Sequence, residues 1–363
     1  MTKPRPPKAY DHLKPRLDVH RAITDKIVAA IEAGAGAFQM PWHRPGLVFT
    51  IPKNAATQQP YRGSNVLSLW IDAEEKKFEH QVWATYRQWQ EAGAQVRGGE
   101  KGSLIVKYGE WTRKTDAVAV SSTTPTSDVE SDIDGTKRMF AKAAWVFNID
   151  QVDADAALRA QVLPSAPARI DLTERLAHVD AFVAAIGVEV RDGGQRAFYR
   201  HRDSKGEGDF IQMPPRDLFM GTPTSTPTEA YYSTLLHEEI HASGAEHRLN
   251  RQHGQRFGDH AYAFEELVAE LGAAFLCAEL EITNTPRPDH AQYLAGWLEV
   301  LKGDTKAIFS AASFATRAVA WLADRQSSVA PSPADPEADA ARAAARPDLS
   351  QKPAASSERG PKR

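Results

Sequence analysis

The chain has 363 residues, 42% of them hydrophobic, a formal net charge of −3 and a single cysteine, Cys277. One cysteine excludes an internal disulfide and any cysteine-based zinc knuckle, and it points to a reducing compartment. No apolar run approaches the roughly 20 residues that span a bilayer, and Met1 to Lys8 has no apolar signal core, so a soluble, cytoplasmic protein of two domains plus tails is expected, with no membrane partner.

The net charge hides an asymmetry. From Met1 to Lys114 there are 18 Lys and Arg against 11 Asp and Glu, a balance of +7, whereas the remainder carries 26 against 36, a balance of −10. The basic half is the one expected to meet nucleic acid, because phosphate contacts dominate non-specific affinity.

After a Pro/Lys-rich leader over 1–18, Val19 to Gly34 places Ile23, Ile27, Ala30 and Ile31 on one helical stripe and stops at glycine. Pro41-Trp42-His43 and the Pro-rich stretch to Pro60 read as a loop. Tyr61-Arg62-Gly63-Ser64-Asn65 leads into a second helix with Val66, Leu67, Leu69, Trp70 and Ile71, and a third runs from Thr85 to Ala92, closed by Gly93. The glycine-rich turn Val96 to Ser103 precedes a strand, Leu104 to Tyr108, that a second strand, Ala143 to Asn148, returns to pair. Between them, 115–138 is Ser/Thr/Asp-rich and aperiodic, a flexible surface insertion.

Rings interleave with cations in this half. Bases stack on aromatic rings without demanding sequence while cations track the backbone, which is the chemistry of single-strand binding. Trp70, Trp83 and Trp89 lie on apolar faces and are expected in the core. Tyr61-Arg62-Gly63 and Arg97-Gly98-Gly99-Glu100-Lys101-Gly102, with Lys107 beyond, are the better candidates, because glycine beside a cation lets backbone and charge approach a phosphate together.

An Ala/Asp-rich linker is expected over 152–170, then a helix to Ile186, a strand at Val188 to Arg191, and paired strands at Ala197 to His201 and Asp209 to Met213. A helix then carries His237-Glu238-Glu239-Ile240-His241, started by Thr226 or Thr228 with Glu229 in its first turn and stopped by Gly244. Residues four apart share a helix face, so His237 and His241 can bind one metal while Glu238 beside them takes a proton from water, the H-E-x-x-H arrangement of zinc peptidases. Catalytic zinc wants about three protein ligands, so another must come from elsewhere. On the helix Tyr262 to Leu280, Glu266 and Glu270 share a face with Ala273, Ala274 and Cys277, where a carboxylate needs a partner. Glu266 is assigned as the third Zn²⁺ ligand and Glu270 as its outer orienter, with Glu265 as the competing ligand. Two further helices, Asp289 to Leu301 and Thr305 to Asp324, are expected to pack behind, and 326–363 lacks core-forming residues and reads as a disordered tail.

The order of these motifs resembles the ArdC family of plasmid- and phage-associated antirestriction proteins. The resemblance rests on Pro41-Trp42, Tyr61-Arg62-Gly63-Ser64-Asn65, the 96–102 turn and Val146 to Gln151 in the first half. In the second it rests on Tyr231 to His241, His247 to Arg251, Arg256-Phe257-Gly258 and Tyr262 to Gly272. It implies an α+β chain with a single-stranded-DNA-binding domain over 19–151, read by Tyr61, Arg62, Asn65, Arg97, Lys101 and Lys107, and a zincin-like metallopeptidase domain over 171–325. Protection of incoming mobile-element DNA from restriction is implied as well. Two functions from different classes follow: a DNA-tethered zinc peptidase whose protein substrate is unidentified, with restriction-associated proteins the candidate class, or a non-proteolytic protein that shields single strands and uses zinc structurally. The position of Glu238 beside His237 favours the first, because structural zinc sites fill all four positions with protein ligands.

Overall fold

The computed structural model describes residues 17–34, 50–112, 137–163, 172–221, 225–251, 260–282 and 290–326. Most of the expected leader, the Pro41-Trp42-His43 loop, nearly all of the 115–138 insertion and the tail beyond Gln326 lie outside them. The architecture is α+β, and it falls into the two expected halves.

In the N-terminal half, α1 (Val19–Gly34) buries Ile23, Ile27 and Ile31 along one stripe. After β1 (Lys53–Asn54), α2 (Ser64–Lys76) buries Val66, Leu67, Leu69, Trp70 and Ile71. Next come β2 (Val82–Thr85), α3 (Tyr86–Glu91) and β3 (Gln95–Val96). The Thr85 and Gln88 side chains cap each other's backbone reciprocally, which lets a helix start directly from a strand. The hairpin is β4 (Ser103–Thr112) against β5 (Lys137–Asn148), antiparallel from Ser103 opposite Val146 to Thr112 opposite Lys137, in a sheet of order β1-β2-β5-β4. Trp70, Trp83 and Trp89 are core residues, as their apolar faces suggest.

The linker expected over 152–170 is folded as far as Leu163. Its β6 (Val152–Asp153) pairs with β3, and α4 (Ala156–Val162) is capped by Asp155. Val152, Leu158 and Val162 pack with Trp89 and Ile149, a small apolar set that the alanine- and aspartate-rich composition masked.

The second half opens with α5 (Leu172–Ile186), followed by β7 (Glu189–Asp192), β8 (Phe198–Arg200) and β9 (Phe210–Met213) in the order β7-β9-β8, which leaves β8 at an edge. Four helices complete it: α6 (Pro227–Ser243), α7 (His260–Glu279), α8 (His290–Gly303) and α9 (Ala307–Gln326). α7 packs against α6, α8 and α9, and its interior face is buried nearly throughout.

Gly272 sets how closely α6 and α7 approach. A Cβ there would lie 2.7 Å from Cδ1 of Ile240, itself fully buried. Gly272→Ala should destabilise the fold by about 1–3 kcal/mol through overpacking. Urea denaturation would read this; an unchanged midpoint would mean the two helices have slack.

The halves share one core. Trp70 of α2 packs on Phe275 of α7 at 5.9 Å between centroids, and His20 of α1 meets the edge of Phe309 of α9 at 4.7 Å. Thr24 Oγ1 donates to the Thr305 carbonyl at 2.7 Å. The buried set from α1, α2 and β4 runs on into α6, α7 and α9 without a break.

Candidate metal centre

The helix that carries the histidines begins as its sequence demands. Thr226 caps α6, its Oγ1 accepting from the Glu229 N–H while the Glu229 side chain accepts from the Thr226 N–H, and Pro227 occupies the first turn. At the other end Gly244 is right-handed, so the helix is not stopped by a left-handed glycine. Its last carbonyls are taken up instead by the loop that follows. Arg248 Nη1 donates to Ala242 O, the Leu249 N–H to Ser243 O, and Arg251 Nη2 to Ile240 O.

His237 and His241 lie on one face with their Nε2 atoms 3.1 Å apart. α7 brings Glu266 to both: Oε2 is 3.5 Å from His237 Nε2 and Oε1 is 3.6 Å from His241 Nε2. Donors about 2.0–2.1 Å from a tetrahedral ion are about 3.3 Å from one another, so three such atoms already stand at the spacing that one ion requires. Among the described residues these three form the group whose ligand atoms all lie within 4.8 Å of each other.

The surroundings ask for positive charge. Glu238, Glu265, Glu266 and Glu270 are all buried, and Arg251 is the buried guanidinium among them. Burial alone would discharge His241, yet Glu266 and Glu265 beside it push its pKa up to about 10. Burial would raise Glu266, but His241 and His237 hold its carboxyl well below the usual range. A divalent cation supplies the positive charge that His241 otherwise supplies by protonation.

Glu265 has a different task. Its Oε1 is 3.3 Å from His241 Nδ1, and Arg251 Nη2 donates to the same oxygen at 2.8 Å. Against burial, His241 and Arg251 hold its pKa down to about 2. It therefore sits behind His241 and fixes the ring. Glu270 stands behind His237, its Oε2 3.5 Å from the buried Nδ1, which has no hydrogen-bond partner among the described residues.

Glu238 is buried next to His237, and its Oε2 accepts the Tyr199 backbone N–H at 3.0 Å. That bond ties the motif helix to the edge strand β8. Tyr199 is fixed in turn, its hydroxyl donating to Asp209 Oδ1 at 2.8 Å, while Arg248 Nη2 lies 2.8 Å from the same oxygen. Burial and Asp209 push the Tyr199 hydroxyl up to about 12, so it remains a donor. His247 Nε2 lies 3.2 Å from Asp209 Oδ2, which places it in this clamp. Glu239 is fully buried with neither carboxylate oxygen hydrogen-bonded, and burial pushes its pKa up to about 8, with Arg248 opposing. Tyr199, Asp209 and Arg251 were not legible as site residues, because each reaches the site through a contact distant in sequence.

The nucleic-acid candidates divide into two groups. Tyr61 is half-buried, its hydroxyl accepting from Asn54 Nδ2 at 3.0 Å. Asn65 clamps β4 through both the N–H and the carbonyl of Val106. Arg97 is bound to the Asp150 carbonyl and, at 3.2 Å, to Glu100. These three serve the fold directly. Arg62, Lys101 and Lys107 are exposed. So are rings that the sequence did not single out for binding, Trp145 at 52% and Phe140 at 38%.

Comparison with known proteins places both halves. Residues 17–147 match the family described as the N-terminal domain of anti-restriction factor ArdC, and residues 177–314 match the zincin-like metallopeptidase family. The chain is 42% identical over 310 residues to uncharacterized protein y4eC of Sinorhizobium fredii, spanning 85% of this chain and 93% of that one. It is 32% identical over 309 residues to a DNA primase TraC of Escherichia coli, spanning 82% of this chain and 26% of the primase. Among solved structures, the antirestriction ArdC protein from the R388 plasmid superposes in its metal-free form with a TM-score of 0.63 at 34% identity, covering 86% of this chain and 99% of that one. Its Mn(II)-bound form gives 0.64 at the same identity, covering 86% and 100%.

Proposed function

The chain belongs to the ArdC family of antirestriction proteins, and from that premise we propose that it binds single-stranded DNA and hydrolyses peptide bonds at a Zn²⁺ site, protecting incoming mobile-element DNA. The observation that carries the peptidase half of this reading is the set of three donors, from His237, His241 and Glu266, at mutual distances of 3.1, 3.5 and 3.6 Å beside a buried Glu238. Neutral imidazole and carboxylate suit zinc, and three protein ligands leave a position open.

When bound, the ion supplies a Lewis acid that polarises the scissile carbonyl and makes water more acidic. Glu238 takes the proton from the attacking water and returns it to the leaving nitrogen. The Tyr199 N–H holds one Glu238 oxygen in place, so the base does not have to be ordered at the moment of reaction. Glu265 and Glu270 keep the two imidazoles oriented. The substrate is a protein met on the same DNA strand, of the restriction-associated class. DNA binding is supported by the exposed cations Arg62, Lys101 and Lys107 on the basic half.

The full chain should bind an oligodeoxynucleotide with or without chelator, and should cleave a protein sharing that strand only when metal is present. Cleavage that survives chelation would remove the metal from the mechanism. Absence of single-strand binding would remove the DNA half of the reading.

A further inference from the structure

Like charges directly opposite one another on paired strands repel, and an anion held by both relieves that repulsion. Lys107 of β4 and Lys142 of β5 are such a pair. They are register partners on the hairpin, both are exposed, and neither has a carboxylate partner among the described residues. The next row on the same face pairs Gly109 with Phe140. The Phe140 ring lies so close over Gly109 that a Cβ at that position would collide with it, and the ring remains 38% exposed. Rows on one face of a strand are about 7 Å apart.

From this placement we infer that Lys107, Lys142 and Phe140 form a single-strand nucleic-acid contact, the two ammoniums holding one backbone phosphate and the ring stacking a neighbouring base. The inference rests on the DNA-binding reading above and gives it a location. Two ammoniums on opposed residues match a phosphate, and a flat ring one row away matches an unpaired base. An acidic peptide would satisfy the lysines but leave the ring without a partner. Base-paired DNA would keep its bases stacked inside the duplex and away from Phe140. The position also fits the charge asymmetry, since this hairpin begins in the segment up to Lys114 that carries the +7 surplus. Lys142 and Phe140 lie beyond that segment in sequence, and strand pairing alone brings them to it.

The test uses the full chain and fluorescent oligodeoxythymidine over a range of salt concentrations. Each phosphate contact on a single strand contributes about 0.7 to the slope of log affinity against log salt, so removing both lysines, Lys107→Ala with Lys142→Ala, should flatten that slope by about 0.7 and weaken binding about five-fold near 0.1 M salt, and each single variant should show part of both effects. Phe140→Ala should leave the slope unchanged and weaken binding on the order of five-fold or more. The same variant should not weaken binding to an abasic oligonucleotide, which offers phosphates without bases. Lys142→Glu replaces a repulsive pair with an attractive one, so it should melt at or above the wild-type temperature while losing affinity. That combination separates a binding role from damage to the hairpin. If the wild type binds oligodeoxythymidine and both lysine variants keep its slope, the location is overturned while the DNA-binding reading stands. If the wild type binds no oligonucleotide, both are overturned. Equal affinity for duplex, or for polyglutamate, would also overturn the single-strand assignment.

Discussion

Glu266→Ala should lose its metal. The residue supplies the only carboxylate oxygens within reach of both imidazole Nε2 atoms among the described residues, at 3.5 and 3.6 Å. Removing an outer carboxylate that merely orients a ligand costs roughly 10–100-fold in affinity, and removing a donor should cost more. Glu265 is the necessary comparison because it lies next in sequence and also touches His241. Its oxygens also contact Arg251, a buried pair. Breaking such a pair from one side costs about 3–5 kcal/mol, so Glu265→Ala would confuse instability with metal loss. Glu265→Gln keeps an acceptor toward Arg251 and should retain about one ion per chain, with affinity lowered within the 10–100-fold range. Elemental analysis after dialysis reads both variants. A metal-free Glu265→Gln alongside a loaded Glu266→Ala would exchange the two roles.

Glu238→Gln should reduce peptide hydrolysis by about 10²- to 10⁴-fold, the usual contribution of a positioned general base. The amide occupies the same space, and its oxygen can still accept the Tyr199 N–H, so the link to β8 and the fold should persist. Because Glu238 is not one of the three clustered donors, metal content should be unchanged, and single-strand binding should be too. A restriction assay on incoming unmodified DNA then decides between the two functional classes. Loss of protection with DNA binding intact makes proteolysis the protective step. Full protection by the variant would assign protection to shielding of the strand and leave the hydrolytic site with another task.

Much of this was legible because it is local in sequence. The four-residue spacing of His237 and His241, the Thr226 and Glu229 cap, and the carboxylates of α7 each follow from helical geometry alone. The Leu104 and Ala143 strands announce themselves by composition, and Trp70, Trp83 and Trp89 by their apolar faces. What was not legible depends on register. The Tyr199 N–H meets a carboxylate 39 residues away, a contact that exists only because β8 is the edge strand. Two-residue strands such as β1, β3 and β6 have no period to detect. The helix ends at Gly244 as its sequence suggests, but the means was not legible, because side chains of Arg248 and Arg251, and not a left-handed glycine, take the terminal carbonyls. Polar residues posed the same difficulty in the basic half. Nothing in the neighbours of Asn65 or Arg97 tells that their hydrogen bonds are spent on Val106 and on Asp150.

The unbroken core between the halves limits what the molecule can select. Trp70 seated on Phe275, and Thr24 bonded to Thr305, remove the hinge that a flexible join would have provided. A tethered peptidase on a slack leash samples every neighbour within its radius and must choose by side-chain recognition. A rigid one behaves as a set square: a strand gripped on one arm is presented to the other at one distance and one angle. On the peptidase reading proposed above, choice of substrate becomes a matter of footprint, favouring proteins whose own grip on the strand leaves an extended segment at that spot. Tolerance for the sequence of that segment can be wide without loss of selectivity, because position along the DNA does the sorting.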